Sequence, residues 1–236
     1  MASTPETAVE TEGHGDGHHD HPAFLAHHFD TPEQQFDSAK LGMWVFIVTE
    51  ILMFGGLFVA YAIFRSREPE IFHLAHERLN KLMGAANTIV LLFSSLTAAL
   101  AVREAQLGNR KRTNMYLVIT VLCAAFFLVV KYFEYTAKFE HGLLPGHYFS
   151  AHLHHVAGEH DLPFRANMFF ALYFMMTGLH GVHVVIGMSL LVWVIKVNNS
   201  GKITPEYFTP VEIGALYWHL VDLVWIYLFP LLYLVG

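Results

Sequence analysis

The sequence is poor in charge and nearly free of cysteine. Only 14% of its 236 residues are Asp, Glu, Lys or Arg, where a water-soluble globular chain carries about a quarter. A chain that is 54% hydrophobic, with mean hydropathy +0.40, has too little polar surface left to stay in water. The single cysteine, Cys123, lies inside an apolar run, so this chain alone can build no disulfide framework, cysteine zinc site or iron–sulfur cluster. Lys and Arg are few and scattered, the net charge is −6, and no basic stripe exists, which sets nucleic-acid recognition aside. Met1 to Asp37 contains no Lys or Arg at all. It also lacks the basic start, apolar stretch and small-residue cleavage site of a secretory signal. Internal repeats of the kind that build inverted-repeat transporters are missing as well.

What the sequence has in abundance is long apolar runs. Five of them, about 41–64, 83–102, 115–136, 168–197 and 211–235, each reach the roughly 20 residues that carry a helix across about 30 Å of hydrocarbon. They are apolar on nearly all sides and lack the period-2 alternation of barrel strands, so the expected fold is an all-α integral membrane bundle of five transmembrane helices. Residues 1–38, acidic and His-rich (EGHGDGHHDH), read as a disordered polar tail, and residues 39–236 as the transmembrane domain. Two connections are long, Arg65 to Leu82 and Lys138 to Asn167. The second is broken by Pro145, Gly146, Gly158 and Pro163 and reads as a surface segment. An odd number of spans puts the termini on opposite faces. Basic residues divide almost evenly between those faces, and the compact GNRKR turn between the second and third runs points to a cytoplasmic N-terminus.

Ionisable groups inside the runs are rare, and each costs at least about 2.5 to 3.5 kcal/mol near the bilayer midplane, so each needs a partner or a purpose. Glu50, His180, His183, His219 and Asp222 fall at about one depth. Met176, Thr177, His180, His183 and Gly187 share one stripe of the fourth helix, and Trp218, His219, Asp222 and Trp225 one stripe of the fifth. The expectation is one hydrogen-bonded cluster, with Glu50 within about 8 Å of a histidine, the reach of one bridging water. Such a cluster either ties helices together, each bond contributing about 0.6 kcal/mol, or holds and passes protons. Glu134 differs: Lys131 and Lys138 stand three residues before and four after it, a favourable ion-pair spacing. The two readings there are an interfacial salt bridge with lysines snorkelling to the headgroups, or a lipid headgroup site. Asn87, Thr88, Ser94, Ser95 and Thr97 make the second helix a close-packing element. The remaining histidines, in the tail and in the second long connection, match no tight zinc template, and no catalytic or metal-ligating residue is assigned. Imidazoles with an unperturbed pKa of about 6.5 can still exchange protons near neutrality.

Five stretches together are highly specific: FDSAKLGMWVFIVTEILMFGGLF around Glu50, ANTIVLLFSS around Asn87, YFEY at Glu134, TGLHGVHVVIG at His180 and His183, and YWHLVDLVWIYLF at His219 and Asp222. In this order they resemble subunit III of haem-copper oxidases, in the five-helix bacterial form that lacks the first two helices of longer members. The resemblance implies a subunit without haem or copper of its own. The redox cofactors would sit in partner subunits, catalytic subunit I first and then II and IV, with cytochrome c acting on the complex and not on this chain. It further implies a bacterial inner-membrane location, a cytoplasmic N-terminus, support of proton uptake, stabilisation of the catalytic subunit and contact with phospholipid. Glu50 would be the family's intramembrane acid and Glu134 a second acid at the lipid and helix interface. Two competitors stand beside this reading. One is a quinol oxidase subunit or a nitric-oxide-reductase accessory protein. The other is a membrane cytochrome using His180, His183 or His219 as haem ligands, for instance His180 and His219 from facing helices.

Overall fold

The computed structural model describes residues 25–26, 28–145 and 164–235. The expectations for the tail up to residue 24, for His27, and for the histidines between 146 and 163 lie outside these residues. Five long apolar helices cross the bundle: α1 (Pro32–Arg67), α3 (Lys81–Gln106), α4 (Arg110–Glu140), α5 (Asn167–Asn199) and α6 (Thr209–Phe229), with a short α2 (Pro69–His76) between the first two. The described residues contain no strand. The all-α five-span fold expected from the sequence is the fold found.

Local chemistry places the ends. α1 starts nine residues before the apolar run, inside the stretch read as tail. Thr31 caps it by accepting the Gln34 N–H at 3.2 Å, and Pro32 occupies the first helical position, where its missing N–H costs nothing. Asn80 caps α3 by accepting from both Leu82 and Met83 at 3.1 Å. The α3–α4 turn reverses at Gly108, φ +74°, and Asn109 N–H closes back on the Glu104 carbonyl. The first long connection holds α2, which buries Phe72 edge-on against Tyr61 and Phe169. Pro69 ends one helix and starts the next, so an eight-residue helix is hidden from any search for long apolar runs.

α6 is the axis of the bundle. It packs on α1, α3 and α5 and is the most buried of the five spans, whereas α1 is the least buried and lies along the outside. Beyond Phe229 the chain widens into a π-turn, Pro230–Leu234. Val235 N–H bonds to Pro230, five residues back, and this leaves the Leu231 carbonyl free to accept the Tyr61 hydroxyl at 3.0 Å. α1 is thereby tied at its far end to the turn that follows α6.

Candidate functional site

Glu50 lies within the expected reach of a histidine, and the five midplane residues make their direct contacts with different neighbours. Glu50 is joined by a single histidine: His183 Nε2 stands 3.0 Å from Glu50 Oε2. His183 Nδ1 lies 2.8 Å from the Leu179 carbonyl, an acceptor, and so must carry a proton. Phe54 closes the pair edge-on against the His183 ring. His219 instead turns to α3, with Nδ1 2.7 Å from the Ser95 hydroxyl. Asp222 accepts from Ser94 at 3.4 Å, and Ser94 in turn accepts Trp218 Nε1–H at 3.0 Å. His180, with no exposed surface, is wedged between Phe127 and Trp225. Ser94 and Ser95 of α3 stand within hydrogen-bond reach of Asp222 and His219 of α6. His180 and His219 thus have different neighbours, aromatic rings for one and a serine hydroxyl for the other.

Glu134 gathers the densest polar site. Lys131 Nζ lies 2.8 Å from Oε2 and Lys138 Nζ 2.9 Å from Oε1, and the hydroxyls of Tyr233 and Tyr173 donate to Oε1 at 2.6 and 3.0 Å. Lys131 also donates to Tyr233 at 2.7 Å and lies 4.6 Å above the Trp225 ring, while Lys138 sits 4.8 Å above Tyr173. The expected snorkelling is corrected here. Lys131 and Lys138 are only 7% and 4% exposed, because the carboxylate, two hydroxyls and three aromatic faces inside the bundle replace the headgroups they would otherwise seek. Two ammoniums against one carboxylate leave the site with an excess positive charge.

Sequence reasoning missed Tyr173 and Tyr233. Both lie on stripes already marked, Tyr173 ahead of Met176, Thr177 and His180, and Tyr233 beyond Trp218, Asp222 and Trp225. A buried tyrosine hydroxyl on such a stripe needs a polar partner, and that was the available signal. Ser94, Ser95 and Thr88 had been assigned packing only; each bonds a polar side chain of α6, Thr88 accepting Trp225 Nε1–H at 3.0 Å. Among the described residues no group of three or more His, Cys, Asp or Glu comes together as a metal site would require.

These features define a polytopic helical membrane protein with a buried Lys131–Glu134–Lys138 ion site inside the bundle. More particularly, the chain belongs to the cytochrome c oxidase subunit III family, whose model matches residues 23–236. It is 30% identical over 206 residues to cytochrome c oxidase subunit 3 of Thermostichus vulcanus, covering 87% of this chain and 91% of that one. It is 29% identical over 233 residues to the Synechocystis cytochrome c oxidase subunit 3, covering 98% and 84%. It is also 28% identical over 196 residues to quinol oxidase subunit 3 of Bacillus spizizenii, covering 83% and 86%. The chain is thus a multi-pass subunit III of a haem-copper terminal oxidase, working in association with other oxidase subunits.

Proposed function

We propose that this chain is the non-redox support of a proton-pumping cytochrome c oxidase, packed beside catalytic subunit I together with subunits II and IV, with haems and copper carried by those partners. It lies in a bacterial inner membrane with its N-terminus cytoplasmic and its C-terminus periplasmic, and it keeps the catalytic subunit active by sustaining proton uptake. Contact with phospholipid belongs to the same supporting role.

One observation carries the reading: the Glu50–His183 pair can hold a single proton in two ways. With His183 Nδ1–H committed to Leu179, Nε2 stands 3.0 Å from a Glu50 Oε2 that has no hydrogen-bond partner among the described residues, and one proton, on the imidazole or on the carboxyl, is what would join the two. A pair that carries one proton in either form, next to the exposed face of α1, is equipped to buffer protons. Glu50→Gln keeps the shape and can still donate to His183 Nε2, but it ends the sharing. In the assembled oxidase this variant is expected to slow proton uptake or hasten inactivation during turnover; unchanged uptake and unchanged inactivation would remove the proton-holding role.

The relatives from Bacillus favour a second reading, in which the electron donor of the complex is a quinol. Identification of the copurifying subunits separates the two, since a binuclear copper site on a partner marks the cytochrome c branch.

A further inference from the structure

Three helices each bring to the bundle axis a buried polar side chain with atoms that no protein group satisfies. They are Asn87 of α3, at both Oδ1 and Nδ2, His180 of α5, at both ring nitrogens, and Asp222 of α6, at Oδ1. Asn87 and His180 are 0% exposed and Asp222 is 2% exposed. Groups this deeply buried are bonded in the great majority of proteins, to protein or to ordered water.

The three converge on Trp225. α3 lies alongside α6 with Gly84 against Phe229 and Tyr233, and with Ser94 against Trp218 and Asp222. Asn87 falls between these contacts on the same stripe of α3, which sets it level with Trp225. Its neighbour Thr88 takes the indole N–H at 3.0 Å, so that donor is already spent. The His180 ring centroid is 5.2 Å from that of Trp225, and Asp222 is one turn before Trp225 on the same face of α6.

We propose that Asn87, His180 and Asp222 bind water around Trp225, and that this water joins the Ser94–Asp222 contacts to the Lys131–Glu134–Tyr233 site as one polar column along the bundle. The chemistry selects water over other ligands. Asn87 offers a donor and an acceptor, a neutral imidazole one of each, and Asp222 Oδ1 an acceptor. A molecule with two hydrogens and two lone pairs satisfies such a mixed set, and buried waters characteristically take two to four polar partners. The column has a direct upper link, because Lys131 Nζ lies 4.6 Å above the Trp225 ring and 2.7 Å from Tyr233. The proposal does not rest on the proton-holding role of Glu50.

X-ray radiolysis of the intact oxidase complex, read by mass spectrometry, tests this, because hydroxyl radicals made from bound water oxidise the side chains beside it. Trp225 is expected to be oxidised several-fold faster than Tyr61 after correction for intrinsic reactivity. Tyr61 is equally buried and has its hydroxyl committed to Leu231. In Asn87→Leu and His180→Phe, which keep the shape and remove the polar atoms, Trp225 oxidation is expected to fall to the Tyr61 level. Trp225 as silent as Tyr61 in the unaltered complex, or oxidised at an undiminished rate in both variants, overturns the proposal. If the variants fail to assemble, the comparison within the unaltered complex decides alone.

Discussion

His183 faces Glu50 with one ring nitrogen, 3.0 Å from Oε2, and holds the Leu179 carbonyl with the other at 2.8 Å. The backbone bond places a proton on Nδ1, and because Glu50 Oε2 has no hydrogen-bond partner among the described residues, a further proton at Nε2 or Oε2 is what would tie α1 here. α1 has otherwise mainly aromatic contacts at this level, such as Phe46 stacked on Tyr217 and Phe58 near Tyr227.

Removing the base should therefore hurt more than neutralising the acid. His183→Leu leaves Glu50 without its partner in a low-dielectric setting, at a cost of about 2.5 to 3.5 kcal/mol, whereas Glu50→Gln retains a donor toward Nε2. Thermal denaturation of the purified complex should rank His183→Leu clearly below Glu50→Gln; equal midpoints would show that the contact is not structurally coupled to α1.

The Glu134 site should behave as a unit. Glu134→Gln strands two buried ammoniums and is expected to cost about 3 to 5 kcal/mol. Replacing all three charges, as Lys131→Met, Glu134→Gln and Lys138→Met together, should recover a large part of that loss, because the coupled residues are not additive. Yield of assembled oxidase and its denaturation midpoint give the comparison, and a triple variant worse than the single one contradicts it.

Glycines divide by what surrounds them. A Cβ at Gly187 would stand 3.0 Å from both Trp218 and Tyr217, whereas one at Gly181 meets nothing within 4 Å. Gly187→Ala should cost about 1 to 3 kcal/mol by overpacking, while Gly181→Ala should be neutral or stabilising by about 0.5 to 1 kcal/mol through helix propensity. Denaturation of the two variants side by side checks the sign of each.

The start of α1 refines any test of the histidine-rich tail. Removing residues 1–24 leaves the Thr31 cap in place, whereas a cut at Asp37 also removes that cap and the first helical turn. The shorter deletion is expected to slow proton uptake with normal assembly. Thr31→Ala alone should cost about 1 kcal/mol of helix stability with uptake unchanged. Normal uptake in the 1–24 deletion dismisses a proton-collecting tail.

The spans were legible because twenty apolar residues in a row have one physical solution in lipid. Even the pairing of Lys131 and Lys138 with Glu134 followed from helical spacing, since all three sit on one helix. The contacts of Glu50, His219 and Asp222 were less legible because they depend on how helices are rotated against one another. Stripes say that two faces look inward, but they do not say that Ser95 stands closer to His219 than Glu50 does. Hydroxyls suffered most in the reading: Ser94, Ser95 and Thr88 are small enough to pass for spacers, and Tyr173 and Tyr233 apolar enough to pass for core. α2 was missed because eight residues carry no span signal.

The π-turn at Pro230 makes the segment after α6 a fastening. On one side its freed Leu231 carbonyl takes Tyr61 of α1, and on the other its Tyr233 takes Glu134 of α4. Five residues thus clasp the outermost helix and the buried ion site at once. A cut after Phe229, or an affinity tag fused tightly there, would loosen two distant parts of the bundle together. For purification the handle belongs at the other end of the chain.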